Sequence, residues 1–195
     1  MLSLNGNSRL IESVMRIPAA FLDRDGVINE DSGYVKDWES FHFLPGAIEG
    51  MRLLNEVGLS LIIVTNQSGI ARGYYTEQDF HVLMARVSEK LLEEGVQVTH
   101  IYYCPHLPDA TVPEYKKVCD CRKPRPGMIQ RAAREHDLDL RGSIMVGDKM
   151  SDMQAAESAG IPERYLITSD VSEIAAYGAS SLLQVAHAVQ KKKRK

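Results

Sequence analysis

PAAFLDRDGV, residues 18–27, passes within one short stretch from small and apolar side chains to two aspartates and a glycine. Ala19–Leu22 has the length and character of a buried strand, and Asp23, Arg24, Asp25 and Gly26 end it. The pattern returns downstream. LSLIIVTNQSG (59–69) is a β-branched run that stops at Thr65, and VTHIYYC (98–104), SIMVGD (143–148) and RYLIT (164–168) read as further strands. Helical stretches lie between them. PGAIEGMRLLNEVG (45–58) opens on Pro45 and closes on Gly58, and TEQDFHVLMARVSEKLLEEG (76–95) has Thr76 and Asp79 placed to cap its first turn. RPGMIQRAAREHDL (125–138), KMSDMQAAESAG (149–160) and SLLQVAHAVQKKK (181–193) complete the set. Strand and helix in alternation require an α/β fold, with a mostly parallel central sheet between two helical layers. Residues 18–190 are expected to form one such domain, after an N-terminal extension over 1–17 compatible with a short helix and before a basic tail over 191–195.

Composition narrows the class of partner. The chain has 195 residues, 44% hydrophobic and 25% charged, with a formal charge of -3. That balance gives no overall electrostatic reason to bind nucleic acid, although the tail KKKRK is locally basic. No apolar run reaches the length that spans a bilayer. Arg9, Glu12 and Arg16 interrupt the N-terminal apolar segment, which argues against a secretory signal. Three cysteines, an odd number, fit a reducing cytoplasm better than a disulfide framework. The expectation is a cytoplasmic monomer that meets neither nucleic acid nor membrane and acts on a small molecule.

In an open parallel sheet, ligands collect beyond the carboxyl ends of the strands. Asp23, Asp25, Thr65, Asn66 and Asp148 all fall on that edge. Carboxylates one residue apart repel unless a cation neutralises them, and Asp148 supplies a third. An all-oxygen set of this kind suits Mg²⁺, which keeps waters and a substrate phosphate among its ligands. Thr65 and Asn66 offer donors to phosphoryl oxygens, and Arg122 and Lys123 add positive charge. Each residue alone is as easily a turn or a strand terminus. Together they point to metal-assisted phosphoryl transfer.

CPHLPDATVPEYKKVCDC (104–121) holds every cysteine of the chain. Cys104 and His106 make a C-x-H pair, and Cys119 and Cys121 a C-x-C pair. Two readings compete: small residues packed incidentally, or a metal clip on an irregular loop. Three thiolates and an imidazole would complete a closed tetrahedral Zn²⁺ set, and the loop is too polar to need three small hydrophobes.

FLDRDGV, IIVTNQS, CRKP and MVGDKMSD, in that order between Ala19 and Thr168, resemble the four motifs of the haloacid-dehalogenase-like phosphatases. DSGYV, TNQSGIARG, YYCPH and CDCRKPRPGM resemble in particular the branch that holds the heptose-bisphosphate and histidinol-phosphate phosphatases. The resemblance implies that family's Rossmann-like three-layer fold without a large cap domain, because the helix from Pro45 largely fills the space between the first two motifs. It implies a Mg²⁺-dependent phosphatase with Asp23 as nucleophile and Asp25 as general acid and then base. Thr65 and Lys123 would hold the transferring group, and Mg²⁺ would sit on Asp23, Asp148 and the backbone carbonyl of Asp25. It further implies structural Zn²⁺ on Cys104, His106, Cys119 and Cys121. Substrate contacts are implied at Arg24, Asp31, Ser32, Gly33, Tyr34, Thr65, Asn66, Gln67, Ser68, Arg122, Lys123 and Lys149. The implied reaction removes the C7 phosphate of D-glycero-D-manno-heptose 1,7-bisphosphate, on the route to nucleotide-activated heptose for lipopolysaccharide core or S-layer glycan. Histidinol phosphate, a nucleic-acid 3'-phosphate and a non-catalytic zinc module are the alternatives. Asp152 either adds to the acidic set or caps the helix that follows it.

Overall fold

Six strands, all parallel, carry the chain in the computed structural model, which describes residues 16–168 and 178–194. The strands are β1 (Ile17–Leu22), β2 (Ser60–Asn66), β3 (Val98–Cys104), β4 (Leu138–Gly147), β5 (Glu163–Ile167) and β6 (Gly178–Ala179). The helices are α1 (Ala47–Glu56), α2 (Ser68–Ala71), α3 (Glu77–Glu93), α4 (Gly127–Glu135), α5 (Met150–Ala159) and α6 (Leu182–Lys193). The sheet order is β3-β2-β1-β4-β5-β6. It reverses direction between β1 and β4, the position where an open α/β sheet leaves a crevice at its carboxyl edge.

Period-two alternation divides the strand side chains between two cores. Ala20, Leu22, Ile63 and Val146 face the layer of α1, α3 and α6, where Met51, Phe80 and Val185 meet them. Ala19, Phe21, Ile62, Val64 and Met145 face α4 and α5 through Met128, Ile129 and Ala155. Burial on both faces explains why β1 and β2 read as continuous apolar runs. Their polar residues appear only where each strand leaves the sheet.

The expected start of α3 forms as a capping box: Thr76 Oγ1 accepts from Asp79 N–H at 3.1 Å, and Asp79 Oδ2 accepts from Thr76 N–H at 2.8 Å. Several elements differ from the sequence reading. β4 begins at Leu138 rather than Ser143, because Leu138 and Asp139 pair with Ile17 and Pro18 before a register shift. Ser143 Oγ accepts from Ala19 N–H at 2.8 Å and bridges that irregularity. α2 and the two-residue β6 are additional elements. The last helix agrees with the sequence reading: α6 carries its lysines in the last turn, where Lys193 Nζ donates to the Val57 carbonyl at 2.9 Å. The short helix expected before residue 16 lies outside the described residues. No cap domain is present among the described residues, and no helix there is long and apolar enough to cross a membrane.

Candidate active site

β1 runs directly into the crevice. Asp23 N–H donates to the Val146 carbonyl at 2.9 Å, which extends the β1–β4 ladder to the first aspartate. The Asp23 carboxylate is buried, with Oδ1 3.0 Å from Lys123 Nζ. That ammonium is itself only 2% exposed; it also lies 2.6 Å from Asp152 Oδ1 and donates to the Val64 carbonyl at 2.7 Å. Burial pushes the Asp23 pKa up to about 7; the Lys123 charge opposes this and Asp152 adds to it. Burial works against the charged Lys123, yet Asp23 and Asp152 together hold its pKa above the ordinary value.

Asp148 approaches from the end of β4. Its pKa is raised by burial, against the opposing charge of Lys149, and its Oδ1 is buried without a hydrogen-bond partner. Carboxylate oxygens of Asp23, Asp148 and Asp152 lie within 4.8 Å of one another. Three converging carboxylates with one unpartnered buried oxygen fit a divalent cation with hard oxygen ligands. Gly26 makes this approach possible. Its φ is +80°, and a Cβ there would sit 2.5 Å from Asp148 Oδ2. Gly26→Ala is therefore expected to displace Asp148 and lower phosphate release by roughly a hundredfold, the scale for about 1 Å of misplacement. Far-UV circular dichroism should stay unchanged, and retained turnover would show that the close approach is dispensable.

Asp25 sits over a network of polar side chains. Its Oδ1 accepts from Arg24 Nη2 at 2.8 Å and Asn29 Nδ2 at 3.0 Å, and its Oδ2 from Gln67 Nε2 at 3.1 Å. Arg24, expected among the substrate contacts, is 1% exposed, and its guanidinium also donates to the Val35 carbonyl at 3.1 Å. Gln67 is equally committed: Nε2 donates to Thr65 Oγ1 at 2.8 Å, and Oε1 accepts from Tyr75 Oη at 2.6 Å. Asn66 grips the Lys123 backbone from both sides, with Nδ2 donating to its carbonyl and Oδ1 accepting from its N–H, each at 3.1 Å. The side chains of Arg24, Asn66 and Gln67 thus support Asp25, Lys123 and Thr65, and the same three residues line the crevice above them. Thr65 accepts from Gln67, which leaves its own hydroxyl proton available.

Asp152 fulfils both alternatives. Its Oδ2 accepts from Lys149 N–H at 3.0 Å at the start of α5, while Oδ1 pairs with Lys123. Asn29 and Tyr75 were not expected at the site. Gly69 leaves room for Tyr75: a Cβ there would fall 2.1 Å from the Tyr75 ring, a fit that only the folded chain reveals. Above the network lies a crevice of about 310 Å³, lined by residues that include Asp25, Asp31, Tyr34, Ser68, Tyr75 and Lys149. Asp31, Ser32, Gly33 and Tyr34 are exposed at its rim, and Lys149 Nζ reaches Asp31 Oδ2 at 3.1 Å and Asp148 Oδ2 at 3.2 Å.

At the end of β3 the cysteines and His106 come together. Cys121 Sγ lies 3.0 Å from Cys104 Sγ and 3.2 Å from Cys119 Sγ, with Cys104 and Cys119 3.5 Å apart. His106 Nδ1 is 3.3 Å from Cys121 Sγ and 3.8 Å from Cys104 Sγ. A tetrahedron with Zn–S near 2.3 Å has edges of about 3.7 Å, so the four donors fit a closed zinc site. Arg122 follows directly, its Nη1 3.4 Å from the His106 carbonyl.

Known proteins agree with this geometry. A family model described as HAD-hydrolase-like matches residues 120–187. The chain is 52% identical over 151 residues to a D-glycero-beta-D-manno-heptose-1,7-bisphosphate 7-phosphatase of Photorhabdus laumondii, covering 77% of this chain and 80% of that one. The D-glycero-alpha-D-manno-heptose-1,7-bisphosphate 7-phosphatase of the same organism is 47% identical over 152 residues, with 78% and 83% covered. The crystal structure of D,D-heptose 1,7-bisphosphate phosphatase from B. bronchiseptica, complexed with magnesium and phosphate, matches at 32% identity and TM-score 0.78, covering 90% of this chain and 99% of that one. Parallel sheet, carboxylate cluster and buried lysine define a phosphoric monoester hydrolase of the haloacid-dehalogenase type. The chain belongs to the family of the D-glycero-D-manno-heptose-1,7-bisphosphate 7-phosphatases.

Proposed function

We propose that the chain removes the C7 phosphate of D-glycero-D-manno-heptose 1,7-bisphosphate through an aspartyl-phosphate on Asp23. One observation carries the reading: Asp23, buried against Lys123, has a carboxylate oxygen within 4.8 Å of those of Asp148 and Asp152, and Asp25, two residues on, lines the crevice. Asp23 attacks phosphorus, and the bond from phosphorus to the sugar O7 breaks as Asp25 gives its proton to that oxygen. Asp25 then takes a proton from the water that attacks the phosphoryl group, and Asp23 is released with inorganic phosphate. Arg24, Asn29 and Gln67 hold Asp25 in one orientation for both transfers. Thr65 and Lys123 hold equatorial oxygens, and Asn66 fixes Lys123 for that task. Asp23, Asp148 and the Asp25 backbone carbonyl would hold Mg²⁺, which when bound draws negative charge from the transferring group. Ser32, Gly33, Ser68 and Arg122 contact the remainder of the substrate, with Arg122 turned to the distant C1 phosphate.

The same reading makes residues 18–190 one catalytic domain, with zinc holding the 104–121 loop through four protein ligands and no open position. It also places the enzyme in the cytoplasm as a monomer, with cysteines that serve the zinc clip and form no disulfide. The test is turnover of α- and β-heptose bisphosphate, histidinol phosphate and a DNA 3'-phosphate, each with and without Mg²⁺. At least one heptose bisphosphate is expected to exceed the other two substrates by roughly tenfold or more in kcat/KM, a difference of about 1.4 kcal/mol. Faster turnover of histidinol phosphate would transfer the assignment to that reaction. Full activity after removal of divalent ions would overturn the role given to the carboxylate cluster.

A further inference from the structure

Tyr34 stands out on the flap that borders the crevice. It is a bulky residue with φ +51°, next to Gly33 at φ +81°. A tyrosine holds the left-handed region only where its surroundings impose it, and such positions collect at ligand clamps. Tyr34 is 46% exposed and Tyr74 54%, so burial in the core imposes nothing on either ring. The two rings instead meet edge to face, with centroids 4.6 Å apart and planes at 75°.

Tyr74 is a firm post. Its N–H donates to the Gly69 carbonyl at 2.9 Å, and the next residue, Tyr75, is buried with its hydroxyl on Gln67. The flap is fixed below by Val35, whose carbonyl accepts from Arg24 at 3.1 Å. On the opposite rim Asp31 is paired with Lys149 at 3.1 Å. The flap is therefore clasped on both sides of the crevice, by an ion pair at Asp31 and by a ring pair at Tyr34.

We propose that Tyr74 is a positioning residue: its ring docks Tyr34 and holds the 31–34 flap over the crevice, so that it governs binding of the sugar-bisphosphate portion away from the reacting phosphoryl group. The proposal rests on the heptose-bisphosphate reading for its substrate and on the ring geometry for its mechanism. Tyr74 touches none of the reacting atoms. Its contribution falls on KM for a ligand long enough to meet the flap and spares a small monoester that the flap does not reach.

The test compares Tyr74→Ala and Tyr74→Phe with the native enzyme. An edge-to-face pair of this strength corresponds to about a 2- to 10-fold effect. Tyr74→Ala is expected to raise KM for heptose bisphosphate by that factor, with kcat and the hydrolysis of p-nitrophenyl phosphate within twofold of native. Tyr74→Phe keeps the ring and should restore the native KM. Amide hydrogen exchange over residues 31–35 gives a readout that needs no substrate: it should accelerate in Tyr74→Ala and remain native in Tyr74→Phe. Altered exchange in a protein that does not hydrolyse heptose bisphosphate would keep the clasp and remove the substrate reading. Unchanged exchange in Tyr74→Ala, equal losses on both substrates, or a Phe variant as impaired as the Ala variant would each overturn the proposal.

Discussion

Asp23→Asn is expected to lower phosphate release by at least about a thousandfold, the scale on which loss of a covalent nucleophile is felt. An amide is a poor nucleophile, while its size and shape preserve the packing at the end of β1. The variant should also reveal the cost of burying this carboxyl. Asp23 has its pKa raised from 3.8 to about 7, so the folded protein holds its proton more tightly than the unfolded chain does. Between those values the native state binds more protons, and the carboxyl destabilises the fold increasingly as pH rises through the window. Below it both states are protonated and the penalty vanishes. In metal-free protein, Asp23→Asn is therefore expected to melt above the native chain at pH 8 and level with it near pH 4. Lys123 keeps one partner in the variant, since Asp152 lies 2.6 Å from its ammonium. A lower melting temperature at pH 8 would mean that the Lys123 pairing outweighs the burial penalty. Near-native turnover would remove Asp23 from the role of nucleophile altogether.

Strand ends were legible because their signal is local. An apolar run that stops at Asp23, Thr65 or Asp148 places that residue on the carboxyl edge whatever the helices do, and the alternation of elements fixes a parallel sheet. The cysteine cluster was legible as a ligand set for the same reason, since its spacing lies within one loop. Side-chain direction was not. Arg24, Asn66 and Gln67 are polar residues beside polar residues, and nothing in their neighbours says whether they face solvent or fold inward. Asn66 finds its partner 57 positions away, on the Lys123 backbone, and Gln67 finds Asp25 across 42. Those pairings exist only after the sheet has brought β1, β2 and the cysteine loop together. Asp152 shows the same limit. A helix-capping reading is local and was available, whereas its ion pair with Lys123 joins α5 to the segment that follows the cysteine loop. β6 has two residues, too few for any periodicity to register.

Cys119→Ser is expected to abolish stable zinc binding and reduce kcat/KM on heptose bisphosphate by roughly a hundredfold, through small displacements of groups remote from the substituted atom. The path of the loss can be traced. Cys104 ends β3, and its carbonyl accepts from Gln67 N–H at 2.8 Å, so the clip borders the network under Asp25. On the other side Cys121 leads straight into Arg122 and Lys123. These two cations differ in how much they depend on the metal. Lys123 has its own anchorage, in the paired hydrogen bonds of Asn66 and in the buried contacts of its ammonium. The Arg122 guanidinium makes a 3.4 Å approach to the carbonyl of His106, itself one of the four clustered donors, and the Arg122 carbonyl accepts from Arg125 N–H at 2.9 Å, so its placement follows the loop. Loss of zinc should therefore damage contacts of Arg122 with the substrate more than phosphoryl transfer itself. Measured kinetics should show KM for the bisphosphate rising more than kcat falls, with a smaller loss on p-nitrophenyl phosphate. The sheet should survive, because its apolar strands pack without the loop; far-UV circular dichroism reads this directly. Elemental analysis of the native protein should give one zinc per chain, and of the variant almost none. Zinc lost with turnover unchanged would separate the clip from catalysis, and equal losses on both substrates would mean that Lys123, not Arg122, is the cation the clip positions.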